Sequence, residues 1–137
     1  MTEPAAETAF GPFRTWNGRE RWQIHPGVRL HAIGGEQVLL CRVVYEPGKT
    51  VDWHSHEQTE QVMLMLAGEI EMTIESETRT IGPGDVVVVN PGLRHTLHSP
   101  GGATFIEALA PVPLDHVPDR ELDLVLGAGG GAGHVER

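Results

Sequence analysis

The chain has 137 residues, with 19 Asp and Glu against ten Lys and Arg, and a net charge of -9. Neutralising a phosphate backbone requires clustered basic residues, so ten scattered ones argue against a nucleic-acid partner. No apolar run approaches the roughly 20 residues of a membrane span, and the N-terminus lacks the basic and apolar regions of a signal peptide. We therefore expect one cytoplasmic domain without a membrane partner, and the single cysteine, Cys41, fits a reducing compartment.

The two ends of the chain differ in composition from its middle. Residues 1–13 are rich in Ala, Glu, Thr and Pro without an apolar period, so we expect a disordered N-terminal arm. Residues 127–137 begin with a run of glycines and predict a flexible tail. The folded domain is therefore expected over 14–126. It ends in at most a short helix over 119–126, which lies between a proline and a glycine.

Short runs of β-branched and apolar residues, separated by Gly and Pro, predict an all-β sandwich or barrel. The segment Glu69–Glu75 alternates strictly, which places Ile70, Met72 and Ile74 inward. The run Val86–Val89 is continuously apolar and is predicted to be a central strand. The predicted strands are Val28–Ile33, Val38–Glu46, Gln61–Ala67, Glu69–Glu75, Thr78–Ile81, Val86–Val89, His95–His98 and Ala103–Leu109.

Three histidines have the spacing of a metal site. His54 and His56 are one residue apart, so on a strand both project from the same face. His95 follows the turn sequence Asn90–Arg94, which can return a distant strand to the first pair. Imidazole binds zinc, iron, nickel and copper alike, so the spacing predicts a transition-metal site without fixing the ion.

The first pair of histidines lies in a sequence that resembles the first motif of the cupin superfamily. That motif reads G-x5-H-x-H-x(3 or 4)-E-x6-G, and Gly48, His54, His56 and Gly68 keep its frame. The resemblance implies a cupin-type β-sandwich or jelly-roll barrel. It also implies one bound divalent transition metal, with Zn, Ni, Fe, Mn and Co as candidates.

The third histidine lies in a sequence that is similar to the second cupin motif, G-x5-P-x-G-x2-H-x3-N. Gly84, Gly92 and His95 match it, whereas Asn90 and Ser99 replace its proline and its final asparagine. Only fifteen residues separate the two motifs, as in small single-domain cupins.

The fourth ligand position of the first motif has two candidates. Glu60 keeps the three-residue spacing from His56 but stands eight positions before Gly68, where the motif has seven. Gln61 keeps both halves of the motif, with four residues after His56 and six before Gly68. We favour Gln61 as the metal ligand and retain Glu60 as the alternative. The choice matters because a neutral amide leaves the ion its full charge, whereas a carboxylate would cancel half of it.

A separate carboxylate, Glu107, interrupts the apolar run Phe105–Leu109. Two placements are open on an alternating strand: solvent, or the cavity that Phe105 and Leu109 would face. Inside a cavity its pKa would rise, and it could act as a general acid or base. Glu107 is therefore the candidate catalytic residue.

Three classes of function fit these residues. The first is a non-redox isomerase, lyase or cyclase that uses the ion as a Lewis acid on a small organic substrate. Uronate-ketonising cupins and cupin polyketide cyclases are the relatives that this chain resembles, although residues 109–113 read L-A-P-V-P where the uronate type has F-S-P-x-R. The second is an iron-dependent dioxygenase, because a site with open positions permits oxygen chemistry. The third is a non-catalytic cupin that binds a small molecule.

The segment before the predicted barrel carries large aromatic residues, Trp16 and Trp22, without an obvious place in the sheets. Aromatic residues outside a core often mark an interface, and small cupins commonly dimerise. We therefore expect a homodimer with the segment Phe13–Ile24 at its interface.

Overall fold

The structure is a computed structural model that describes Pro12, Phe13, Thr15 and residues 22–112, together with two short strands at 124–126 and 132–134. This described part is all-β and contains no helix, so it has no helical segment that could cross a membrane. Its strands are β1 (Trp22–His25), β2 (Val28–Gly34), β3 (Leu39–Tyr45), β4 (Lys49–His54), β5 (Glu60–Gly68), β6 (Ile70–Ile74), β7 (Glu77–Ile81), β8 (Val86–Val89), β9 (His95–Ser99), β10 (Ala103–Ala110), β11 (Leu124–Leu126) and β12 (Ala132–His134).

Two antiparallel sheets form the body of the fold. The larger sheet has the strand order β1-β2-β3-β10-β5-β8, and the smaller one has the order β4-β9-β6-β7. Inward side chains of both sheets share one apolar core. Its most deeply buried large members are Phe105, Leu39, Met63, Met65 and Ile70. The predicted all-β sandwich is confirmed.

Alternating burial follows the alternating sequence along the strands. In β6, Ile70 and Met72 are buried while Glu71 between them is exposed, as predicted. In β5 every second residue from Gln61 to Met65 is buried. Cys41 is buried in β3, as expected for a small apolar side chain.

The prediction of a central strand at Val86–Val89 is wrong. This run forms β8, which is the edge strand of the larger sheet and pairs only with β5. Val86 is 59% exposed and Val88 is 51% exposed, whereas Val89 is buried. One face of the run packs against the core, and the other lies exposed on the outer side of the sheet. The run is therefore not enclosed on both sides.

The ends of the chain differ from expectation where they are described. Leu124–Leu126 forms β11 and pairs with Ala132–His134, so this part of the predicted helix over 119–126 is wrong. Ala132–His134 lies within the segment that the glycine run predicts to be flexible. Trp22–His25 pairs with β2, which gives Trp22 a place in the sheet. The arm over 1–13 and Trp16 fall almost wholly outside the described residues, and the boundaries of the domain stay a prediction.

Candidate metal centre

The three histidines converge where β4 and β9 pair. His54 ends β4 and His95 begins β9, and the two are opposite each other in the antiparallel register. Their ring centroids are 4.2 Å apart, and the ring of His56 lies 5.3 Å from His54 and 5.5 Å from His95. One ligand nitrogen from each of the three lies within 4.8 Å of the others. The structure therefore brings together the histidines that the sequence singled out.

His54 and His56 are not brought together by a shared strand face, which is what the sequence suggested. The strand ends at His54, so His56 does not share a regular strand face with it. Instead, the carbonyl of His56 accepts a hydrogen bond of 2.9 Å from the backbone N–H of Gly92. This bond ties the loop after β4 to the turn that precedes His95, and it holds the two segments at one site.

Backbone carbonyls orient two of the imidazole rings. Nδ1 of His54 lies 2.7 Å from the carbonyl oxygen of Asp52, and Nδ1 of His95 lies 3.0 Å from that of Leu93. A carbonyl can only accept, so each Nδ1 carries the hydrogen and each Nε2 keeps its lone pair. Such outer hydrogen bonds fix the tautomer that binds a metal through Nε2.

The two candidates for a fourth ligand, Glu60 and Gln61, point to opposite faces of β5. Gln61 is 3% exposed and faces the interior with Met63 and Met65, whereas Glu60 is exposed. The register of β5 therefore brings the amide, and not the carboxylate, to the side of the sheet that carries the core.

The amide of Gln61 is held in one orientation by a carboxyl group. Its Nε2 donates a hydrogen bond of 2.7 Å to Oε1 of Glu107. Its buried Oε1 has no hydrogen-bond partner among the described residues. A buried carbonyl oxygen without a partner is costly, and coordination to a cation would satisfy it. The three imidazoles thus fit a divalent transition metal, and the amide oxygen of Gln61 stays the candidate for a fourth ligand.

Glu107 points to the inner side of the larger sheet, where it is half-buried. It lies on β10 between the buried residues Phe105 and Leu109, and its carboxyl group meets Gln61. Burial raises the pKa of Glu107 to about 7 from an ordinary 4.5, and the hydrogen bond from Gln61 opposes part of this rise.

The interior around Glu107 contains polar groups that sequence analysis did not assign to the site. Burial raises the pKa of Cys41 and of Tyr45, and the nearby charge of Glu107 adds to both shifts. Cys41 is directly opposite Glu107 in the pairing of β3 with β10. The alternating pattern of β3 is the sequence signal that these side chains point inward. The sequence does not show that β3 pairs with β10, which makes them neighbours of Glu107.

Comparisons with known proteins agree with this geometry. A sequence profile described as the cupin domain matches residues 41–108, which contain all three histidines and both residues of the Gln61–Glu107 pair. No curated protein matches the chain significantly by sequence.

Several solved structures share the fold. KdgF from Halomonas sp. has a TM-score of 0.71 and 21% identity, and the match covers 77% of this chain and 97% of that one. An RmlC-like cupin from Shewanella frigidimarina has a TM-score of 0.70 and 20% identity, covering 76% and 94%. A predicted oxalate decarboxylase from Thermotoga maritima has a TM-score of 0.59 and 22% identity, covering 68% and 91%. With the matched profile, the paired sheets and the clustered histidines, these likenesses show that this chain is a small cupin.

Proposed function

We propose that this cupin is a mononuclear metalloenzyme that rearranges a small organic substrate without redox chemistry, as an isomerase, lyase or cyclase. One divalent transition metal would be held by His54, His56, His95 and Gln61. The observation that supports this most is the amide of Gln61, which donates to Glu107 through nitrogen and leaves its buried oxygen for an ion.

The charge of the donor set favours Lewis-acid chemistry. Three neutral imidazoles and a neutral amide leave a divalent ion its full charge, whereas a carboxylate at the position of Gln61 would cancel half of it. Such an ion, when bound, polarises a carbonyl or carboxylate oxygen of the substrate. The exposed Glu60 lies on the opposite face of β5 and does not offset this charge from within the cavity.

Glu107 is suited to move a proton within the same cavity. As a carboxylate it would take a proton from a substrate carbon next to a carbonyl: the C–H bond breaks, its electron pair stays in the substrate, and the new O–H bond forms on Glu107. Return of that proton to another substrate atom completes an isomerisation and restores the carboxylate. The hydrogen bond from Gln61 would hold the carboxyl group in place throughout.

Metal analysis combined with isotope exchange tests this proposal without knowledge of the natural substrate. The purified protein is assayed for bound metals and for oxygen uptake, and a panel of small keto acids and diketones is incubated with it in D2O. We expect zinc, nickel, manganese or cobalt, no oxygen uptake, and exchange of α-hydrogens for deuterium by NMR. Glu107→Gln should abolish the exchange while keeping the metal, whereas the exposed Glu60→Gln should preserve both.

An iron-dependent dioxygenase is the alternative, because the same three imidazoles accept ferrous iron. It predicts co-purified iron and oxygen uptake with substrate. Failure of both exchange and uptake across the panel, with ligand-induced stabilisation retained, would instead favour a cupin that binds a small molecule without turnover.

A further inference from the structure

The hairpin between β6 and β7 turns at Glu75, a residue whose backbone is left-handed. Its φ is +54°, and within the part of the chain that the structure describes it is the one residue other than glycine with a positive φ. Two-residue hairpin turns usually carry Gly, Asn or Asp at such a position, because a longer side chain crowds a left-handed backbone. Backbone strain of this kind persists where neighbouring contacts hold it, and it is concentrated at functional sites.

Glu75 binds both backbone polar groups of Arg94. The backbone N–H of Glu75 donates a hydrogen bond of 2.8 Å to the carbonyl of Arg94. Its side-chain Oε2 accepts a hydrogen bond of 2.7 Å from the backbone N–H of Arg94, and a bond to a carboxylate is stronger than one between neutral groups. The pairing of β6 with β9 ends where Ile74 is opposite His95. The two bonds therefore continue this pairing by one residue and hold the chain directly before His95.

One peptide group connects the Glu75 carboxylate to the ring of His95. The N–H of Arg94 and the carbonyl of Leu93 belong to the same peptide. Its N–H donates to Glu75, and its carbonyl lies 3.0 Å from Nδ1 of His95 and accepts the ring hydrogen. We call this series of bonds, from the imidazole across the peptide to the carboxylate, the hydrogen-bond chain.

A hydrogen-bond chain of this kind transmits charge. Neighbouring hydrogen bonds polarise one another, and a carboxylate on a peptide N–H favours the resonance form with more negative charge on the carbonyl oxygen. That oxygen becomes a better acceptor for the Nδ1 hydrogen of His95. A stronger bond at Nδ1 raises the electron density at Nε2, as happens when a carboxylate bonds a metal-binding histidine directly.

The two ends of the hydrogen-bond chain lie in different environments. His95 is 0% exposed, so its hydrogen bond is shielded from water and is stronger than it would be in solution. Glu75 is exposed, so its carboxylate keeps contact with water and avoids the free-energy cost of burying a charge. The intervening peptide therefore lets an exposed charge act on a buried imidazole.

We propose that Glu75 is a positioning residue, which orients His95 and raises the basicity of its imidazole through the Leu93–Arg94 peptide. The consequence for an ion rests on the proposed function, in which His95 is a metal ligand. The hydrogen-bond chain itself is present in the metal-free protein. The chain and its effect on metal binding can therefore be measured separately.

Three variants separate charge, side chain and general electrostatics. Glu75→Gln removes the charge but keeps an oxygen that can accept from the N–H of Arg94. Glu75→Gly removes the side chain and suits the left-handed backbone, so the hairpin should still fold. Glu77→Gln is the matched control, because it removes a charge from the same hairpin at a residue whose carboxylate bonds Arg79 at 2.6 Å instead.

NMR of the metal-free proteins at one pH tests the hydrogen-bond chain. The amide proton of Arg94 should move upfield in both Glu75 variants. The ring-nitrogen shifts of His95, measured through its carbon-bound protons, should change with it. The ring of His54, which bonds the carbonyl of Asp52, should keep its shifts, and Glu77→Gln should leave both rings unchanged. A change at Arg94 without one at His95 in Glu75→Gln would overturn the proposal.

Zinc titration in competition with a chromogenic chelator tests the effect on metal binding. Glu75→Gln should raise the Kd for zinc about tenfold, at the lower end of the loss seen when a direct partner of a metal-bound histidine is removed. Glu75→Gly should raise it at least as much, and Glu77→Gln by less than about twofold, because an exposed charge is screened. Equal zinc affinity in wild type and Glu75→Gln would overturn the proposal. A wild type that binds no zinc would instead contradict the proposed metal centre, and the ring shifts of His95 would then decide the role of Glu75.

Discussion

Gln61 would have two tasks in the proposed site, since its nitrogen donates to Glu107 and its oxygen would bind the ion. We expect Gln61→Glu to tighten metal binding by about tenfold, because an added carboxylate attracts the cation, and to weaken the ion's pull on substrate oxygens. Metal affinity and exchange activity should therefore move in opposite directions. Competition with a chromogenic chelator measures the affinity.

Two further substitutions separate Gln61 from Glu60. Gln61→Ala should weaken metal binding, and Glu60→Gln should leave it unchanged because Glu60 is exposed on the far face of β5. The metal-free Gln61→Glu protein should also be less stable than wild type, since the new carboxyl group would face that of Glu107. Loss of metal in Glu60→Gln but not in Gln61→Ala would refute the assignment.

Glu107 should make the stability of the metal-free protein depend on pH. Its folded pKa, about 7, lies above the ordinary 4.5, so the folded state keeps a proton that the unfolded state has released. The free energy of unfolding should fall as pH rises from about 4.5 to 7, by at most about 3 kcal/mol. Glu107→Gln should remove this part of the slope in urea unfolding measured from pH 5 to 8.

The control for this pH experiment is Glu60→Gln, which removes an exposed carboxyl group from the same region. All other groups are the same in wild type and in both variants apart from the substituted side chain, so the difference between the curves isolates Glu107. Equal slopes in wild type and Glu107→Gln would show that the carboxyl group is solvated.

At this scale the sequence indicated candidate residues but not the contacts between them. Motif spacing selected three histidines that the structure brings together, and it favoured Gln61 over Glu60, whose opposite faces follow from a side-chain period of two. It did not decide whether Glu107 faces the interior or solvent. The contact of Glu107 with Gln61 depends on which strands are neighbours, and local pattern does not contain that information.

Among the elements, the close approach of β5 and β10 depends on Gly68. A Cβ added there would lie 2.1 Å from the carbonyl oxygen of Gly102, and the backbone of Gly68 has a φ of +73°. Gly48 has a similar φ of +81°, but a Cβ added there meets nothing within 4 Å. Both glycines belong to the first cupin motif, although for different physical reasons.

We expect Gly68→Ala to destabilise the protein much more than Gly48→Ala. The left-handed backbone alone costs roughly 1–2 kcal/mol at either position. At Gly68 the clash with Gly102 is added, since the obstacle is backbone and cannot rotate away. Urea unfolding of the two variants measures the difference, and equal losses would show that strand separation relieves the clash at little cost.

The sequence predicted the existence of elements well and their neighbours less well. Eight predicted strands from Val28 to Leu109 appear as β2, β3 and β5–β10, with small shifts at their ends. The run Val86–Val89 was placed centrally because apolar sequence on both faces usually means burial on both faces. Its position at an edge follows from chain topology, and its outward valines, Val86 and Val88, are exposed.

For the whole molecule, a bound metal should raise thermal stability by mass action, because an ion that binds only the folded chain shifts unfolding by RT ln(1 + [M]/Kd). At 100 times Kd this is about 2.7 kcal/mol, which in a domain of this size corresponds to roughly 10 °C in Tm. Chelation should lower the Tm by this amount, as measured by scanning calorimetry. His54→Ala and His56→Ala should largely abolish the effect of the chelator.

The matched control for this experiment is a histidine outside the cluster. His98 lies on the outer side of the smaller sheet, where it is hydrogen-bonded to Thr50. His98→Ala should therefore respond to chelation as wild type does. An undiminished response in His54→Ala or His56→Ala would place the metal elsewhere in the chain.

Composition predicts one domain with a net negative charge. It does not predict how copies of the chain assemble. The cytoplasmic location and the dimer contact through Phe13–Ile24 stay predictions, since most of that segment lies outside the described residues. The exposure of Leu64 and Leu66 was not apparent from sequence, because an exposed Leu and a buried Leu look the same until the faces of β5 are assigned.

The alternation along β5 also determines which kinds of mutation the protein can accept. Substitutions at Met63 or Met65 would change the core on the side of Gln61, and substitutions at Val62 or Leu64 would change the outer surface. Deletion of one residue near the start of β5 would instead exchange the faces, turning the amide of Gln61 outward and Leu64 inward. Libraries that aim at new substrates should therefore vary side chains on β5 at fixed length and confine insertions to loops.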